Sequence, residues 1–149
     1  MSNVKNIVVE YNDKSDTKFE KIVTQLKQSG VNTLLCYDEK IITICKQLGL
    51  HSISNLDQAD DLLIDNLKDI KKFNNKNKKL FFNILVKSNE DIKKAVEAAK
   101  LGVNVVIVET SDWKIIPIEN LIAELADFPT QIFTRLENMS EAKTMFNIL

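Results

Sequence analysis

Two lysines and two carboxylates carry the clearest chemical potential in this sequence. Lys87 follows an apolar run that begins near Leu80, and Lys114 follows another that ends at Glu109. In open α/β sheets and in (β/α) barrels, sites collect at the carboxyl ends of strands. A lysine there can be desolvated, which lowers its pKa. It can then act as a base or form a Schiff base with a carbonyl substrate. Glu109 and Asp112 lie near enough in sequence to hold such a lysine charged or to relay a proton. The plainer reading of Lys114 is an exposed loop residue paired with Asp112. Trp113, the only tryptophan, serves as well for a core plug as for a substrate platform. Other strand ends carry Glu10, Tyr11 and Asn12, then Tyr37, Asp38 and Glu39, and finally Arg135 and Glu137. Taken singly, each of these is first a loop residue or a helix cap.

The elements that would position these groups alternate between strand-like and helix-like, which argues for α/β architecture with a mainly parallel sheet. Residues 7–10 form a short apolar run. Thr17 and Glu20 make a capping-box pattern, and Phe19, Ile22, Val23 and Leu26 form one helix stripe closed by Gly30. A strand follows at 31–37. A second stripe is Ile41, Ile44, Cys45 and Leu48, ended by Gly49, and a weak strand lies at 51–53. Ser88 and Asp91 open a later helix, striped by Ile92, Ala95, Val96 and Ala99 and capped by Gly102. The clearest buried strand runs over 103–109. Pro117 suits a helix start, with Ile118, Leu121, Ile122 and Leu125 as its stripe. A strand at 131–136 precedes a last helix, opened by Asn138 or Ser140 and carrying Ala142, Met145, Phe146 and Leu149. Gly30-Val31-Asn32 and Gly102-Val103-Asn104 are an internal echo, each joining a helix end to a strand start. Leu62-Leu63-Ile64 fits a strand or a helix face, and the polar run 70–79 reads as a solvated loop. Its lysines, with Phe73 as the one stacking aromatic, are a weaker case for a nucleic-acid patch.

Composition narrows the class. The chain has 149 residues, 44% hydrophobic and 28% charged, with a net charge of -1. That size buries a real core, and the charge leaves no footprint for nucleic acid. Apolar runs such as 103–108 are too short to cross a bilayer, and no secretion signal opens the chain. Cys36 and Cys45 sit at apolar positions and read as buried thiols in a reducing cytosol, not as a disulfide. With His51 the only histidine, no zinc spacing arises. The three glycines are too far apart for a dinucleotide or P-loop fingerprint.

The stretch Val108-Glu109-Thr110-Ser111-Asp112-Trp113-Lys114-Ile115-Ile116-Pro117-Ile118-Glu119-Asn120-Leu121-Ile122-Ala123 resembles the signature of the archaeal-type (type II) 3-dehydroquinate synthases. There an acidic strand end precedes DWK-x-IP-x-EN-x-IA. The likeness is specific from about Ile84, with Lys87, and continues through Thr130 to Arg135 and Glu141-Ala142. Before that it rests on element order, and the tryptophan typical of the family's first strand is missing. The resemblance implies an NAD-dependent enzyme of aromatic amino-acid biosynthesis (the shikimate route). Its members oxidatively deaminate 2-amino-3,7-dideoxy-D-threo-hept-6-ulosonate and cyclise the product to 3-dehydroquinate. Lys114 is then the first choice for base or carbonyl partner and Lys87 the second, with Glu109 and Asp112 orienting them. Glu119, Asn120 and Arg135 become substrate-binding candidates. The NAD site has no counterpart in these residues.

The expected fold is thus α/β, with residues 1–149 forming one domain, the N-terminal portion of a longer enzyme and the first units of a TIM-barrel-like domain. An open doubly wound sheet is the alternative. The expected setting is cytoplasmic. The expected partners are a small-molecule substrate and either a C-terminal half or a second copy, without nucleic acid or membrane. Two other functions compete: a non-catalytic split half that acts as an assembly module, and a Schiff-base (β/α) aldolase.

Overall fold

A computed structural model describes residues 7–11, 19–73, 77–109, 118–136 and 142–147. The elements are β1 (Ile7–Tyr11), α1 (Phe19–Gln28), β2 (Thr33–Leu35), α2 (Glu39–Leu48), β3 (His51–Ser54), β4 (Asp61–Ile64), α3 (Leu67–Phe73), β5 (Leu80–Leu85), α4 (Asn89–Lys100), β6 (Val105–Glu109), α5 (Ile118–Leu125), β7 (Gln131–Leu136) and β8 (Ala142–Asn147). The chain divides into two compact units, residues 1–62 with 135–146, and residues 63–134 with 147–149. In the first, β1, β2, β3 and β4 pair in chain order and in parallel, and β8 runs antiparallel to β1. In the second, β5, β6 and β7 pair in the same parallel, sequential way. A doubly wound sheet reverses its strand order at a switch point, and neither unit contains such a reversal. The fold is α/β, with alternating β/α units, mainly parallel strands and the sequential winding of TIM-barrel-type chains.

Helix endings set this direction. Gly30, Gly49 and Gly102 all take positive φ, at 98°, 76° and 98°. The residue after each glycine donates its N–H five residues back: Val31 to Leu26 at 3.1 Å, Leu50 to Cys45 at 2.8 Å and Val103 to Ala98 at 3.3 Å. That bond, together with the glycine N–H reaching three residues back, is the Schellman closure of orphan helix carbonyls. The Gly-Val-Asn echo has a structural meaning too. The carbonyl of Asn32 accepts from His51 N at 2.9 Å, and that of Asn104 accepts from Gln131 N at 3.0 Å. Each echo therefore closes a helix and hands the chain to the neighbouring strand.

In the first unit α1 and α2 cover one sheet face. Val9, Tyr11, Leu34 and Cys36 meet Val23, Ile42 and Cys45 in one buried cluster. The Lys27 ammonium also donates to the Leu48 carbonyl, tying α1 to the end of α2. Asp38 caps α2 by accepting from Lys40 N at 2.8 Å. Both cysteines are free and fully buried. The hydrogen bond with Cys45, and then burial, hold the Cys36 thiol protonated far above the ordinary thiol range. In the second unit α4 packs on β5 and β6 between α3 and α5. Its buried face is Ile92, Ala95, Ala98 and Ala99, small enough for close approach to the sheet.

Several expectations need correction. The last helix is instead β8, paired with β1 from Ile7↔Phe146 to Tyr11↔Ala142. Ala142, Met145 and Phe146 have helical spacing, but β1 offers a row of backbone partners. Thr144 and Phe146 suit an extended chain, so pairing overrides the local pattern. Residues 70–79 are not all loop. Residues 67–73 form α3, with Ile70 fully buried, and Asn66 caps that helix by accepting from Lys68 N at 2.9 Å. Leu62-Leu63-Ile64 is strand, entirely buried. Residues 31–37 yield only the short β2, although Cys36 N extends its ladder to Ile53 O at 2.9 Å. The Ser88 side chain makes no cap bond, while Asp91 accepts from Lys87 N at 2.8 Å. Thr17, Pro117 and the residues around Lys76 lie outside the described residues. Among the described residues no helix is long and apolar enough to cross a membrane.

Two predictions follow from these contacts. Gly30→Ala and Gly49→Ala should each cost about 1 kcal/mol in urea unfolding, from backbone strain alone. A Cβ meets nothing within 4 Å at Gly30 and only Lys27 Nζ at 3.8 Å at Gly49. An unchanged stability at either site would mean that its left-handed turn is not kept in solution. Neither Cys36 nor Cys45 should react with a disulfide reagent in the native chain, and both should react once it is unfolded in guanidinium. Fast native labelling of either one would contradict the buried pair.

Candidate active site

Parallel strands bring all their carboxyl ends to one edge of a sheet, where βα turns can present polar groups. In the second unit β5 and β6 align Leu85 with Glu109, and Val86 N extends the ladder by donating to Glu109 O at 2.7 Å. Glu109 is half-buried at its strand end. Alternation puts Phe81, Asn83 and Leu85 on the face that Glu109 shares, and Lys87 follows in the βα turn at the same edge. The Asp91 carboxylate fixes the Lys87 backbone at the start of α4. The Lys87 side chain is exposed.

The other expected residues fare differently. Arg135 follows Thr134 at the carboxyl end of β7, where Thr134 aligns with Val108. Glu119 and Asn120 are exposed in the first turn of α5, whose buried positions are Leu121 and Leu125. Asp112 and Lys114, with Trp113 between them, lie outside the described residues.

The first unit contains a pair that sequence reading noted only as strand ends. Glu10, 5% exposed at the end of β1, accepts from Tyr37 Oη at 2.5 Å. Val9, Tyr11, Leu34 and Cys36 point to the helix side, so Glu10 and Tyr37 occupy the opposite face. The signal was available: a glutamate inside a buried strand must find a donor. A second polar pair lies on that face, at the amino edge. His51 Nε2 is 2.5 Å from Asp61 Oδ2, and Ile53↔Asp61 sets the register. Asp60 accepts from Ser52 N at 3.0 Å and lies 3.7 Å from His51 Nδ1. Polar residues at that edge of such folds serve stability, and those at the carboxyl edge serve chemistry. Among the described residues no group of histidine, cysteine or carboxylate side chains could hold a metal ion.

Among the described residues no glycine-rich dinucleotide loop is present. All three glycines of the chain close helices at αβ turns. A glycine-rich phosphate loop belongs at a βα turn, on the opposite edge.

A family model for the 3-dehydroquinate synthase II N-terminal domain matches residues 4–149. A 3-dehydroquinate synthase of Nitrosopumilus maritimus is 32% identical over 135 residues, covering 91% of this chain and 37% of that protein. One from Methanocaldococcus jannaschii is 36% identical, covering 87% of this chain and 37% of that protein. A 3-dehydroquinate synthase homolog of Persephonella marina is 33% identical, covering 87% and 33%. The chain thus spans little more than a third of the length of these relatives. On the match over residues 4–149, this chain belongs to the 3-dehydroquinate synthase II family, in its N-terminal domain.

Proposed function

We propose that this chain supplies the N-terminal part of a type II 3-dehydroquinate synthase. That activity is the NAD-dependent oxidative deamination of 2-amino-3,7-dideoxy-D-threo-hept-6-ulosonate, followed by cyclisation to 3-dehydroquinate. The reading is supported by the family match over residues 4–149 and by Glu109 at the carboxyl end of β6, beside the βα turn after β5 that carries Lys87. NAD enters as the family's cofactor, and no step here is derived through it, because the glycines present do not form its cradle.

Ring closure is the half of the reaction these side chains can serve. It needs a base for the proton next to one carbonyl and an acid at the carbonyl that receives the new bond. Lys114 is the first choice for that base and Lys87 the second. Glu109 and Asp112 keep the lysines oriented and exchange protons with them. Glu119, Asn120 and Arg135 bind the substrate's hydroxyls and carboxylate. In the first unit, the Glu10–Tyr37 pair is a separate buried carboxylate and phenol at that sheet's own carboxyl edge. The partners in this reading are the small-molecule substrate and either a C-terminal half or a second copy, in a cytoplasmic setting.

The test uses the form of the protein that turns over the aminoulosonate with NAD, following 3-dehydroquinate by mass spectrometry. Lys114→Ala should abolish turnover, and Lys87→Ala should lower kcat roughly 100-fold, the usual scale for losing a general base. Unchanged turnover in either variant removes that lysine from the mechanism. Borohydride trapping of a carbonyl substrate on Lys87, without any need for NAD, would favour a Schiff-base aldolase instead.

A further inference from the structure

Asn83 interrupts the otherwise apolar strand β5, Leu80–Leu85. Its Cα partner on β6 is Ile107, which in turn aligns with Phe133 on β7. One level toward the amino edge lie Phe81, Val105 and Gln131, and one level toward the carboxyl edge lie Leu85 and Glu109. Phe81 and Phe133 meet edge to face, with ring centroids 6.3 Å apart, so this face of the sheet is packed around Asn83. The Asn83 Oδ1 atom is buried and has no hydrogen-bond partner among the described residues. Ile107 and Phe133, at its level, have no side-chain donor to offer. An amide oxygen taken out of water and left without a donor destabilises the fold, and such orphans call for a functional explanation.

Two further observations indicate the explanation. The residue as a whole is only half-buried, so the amide lies within reach of the surface. The next residue on this face toward the carboxyl edge is Leu85, the one large hydrophobic exposed among the described residues, at 42%. The orphaned acceptor therefore shares one face with the exposed leucine and half-buried Glu109, which lie side by side one level nearer the carboxyl edge. That arrangement suits a small molecule with a carbon skeleton and several donors.

We infer that Asn83 is a substrate-binding residue, whose Oδ1 accepts from a hydroxyl or ammonium group of a small polyhydroxylated amine seated at the carboxyl edge of β5 and β6. The inference rests on the substrate class proposed above and adds a specific contact to it. Leu85 lines the same seat with apolar surface, and Glu109 offers a second acceptor beside it. The amide fixes the orientation of the bound molecule, and a competitor lacking that donor leaves the acceptor unpaired.

Titration calorimetry of this chain with 2-amino-3,7-dideoxy-D-threo-hept-6-ulosonate, paired with thermal unfolding of the free chain, tests the assignment. Asn83→Leu removes the orphaned acceptor at similar volume, so its Tm should equal or exceed the parent's while binding weakens by roughly tenfold or more. Asn83→Ala, which crowds no neighbour, should show the same loss of binding. Asn83→Asp keeps an acceptor and should bind within about threefold of the parent. Parental affinity in Asn83→Leu and Asn83→Ala would overturn the role of Asn83 and leave the proposed substrate standing. A Tm well below the parent's in both variants would overturn it as well, making Asn83 a structural amide satisfied by a trapped water. No binding by the parent chain would overturn both the substrate reading and this contact.

Discussion

At Gly30, Gly49 and Gly102 the backbone turns left-handed and gives the helix carbonyls their last partners. Each turn then delivers the chain to the amino end of a strand or of its neighbour, through Asn32 and Asn104 carbonyls in two of the three cases. The strands that follow at once run parallel to their neighbours: β2 and β3 in the first unit, and β6 in the second. Once the strands are parallel, every βα turn must emerge at the other edge. The helix closures thus decide where side chains able to do chemistry can gather, although none of the glycines goes near that edge.

Within each unit the sheet face then divides the labour. In the first, the helix side holds the apolar cluster with the thiol pair, Tyr11 and the buried Ser52 and Ser54, and the opposite face holds the Glu10–Tyr37 and His51–Asp61 pairs at its two ends. His51 with Asp61 closes the amino edge, and Glu10 with Tyr37 marks the carboxyl edge. Burying Glu10 would be costly without the Tyr37 donor. In the second unit Lys87 and Glu109 mark the same edge, and Asn83 lies a level below them.

Much of this was legible in the sequence because strong periodicity and glycine closures are local signals. The stripes of α1, α2 and α4 and the buried run of β6 needed no tertiary information. What local pattern could not give was the outcome of competition. Residues 142–147 have helical spacing and side chains tolerant of a strand, and the open edge of β1 decided between them. The polar lysine-rich run around α3 concealed Ile70, whose burial depends on packing in the second unit. Ser88 has the right type and spacing for a cap, yet the bond is made by Asp91 alone. At the candidate site, Lys87 and Glu109 were readable as strand ends. Asn83 was not, since only register and an unmatched acceptor distinguish it from an ordinary strand residue.

The central claim is that binding takes place at the carboxyl edge of these parallel strands. Hydrogen–deuterium exchange of the chain with and without the aminoulosonate tests it most directly. The account predicts slowed exchange in residues 85–91 and around Glu109, with the turns at Gly30, Gly49 and Gly102 unchanged. Protection centred instead on His51 and Asp61, at the amino edge, would contradict it.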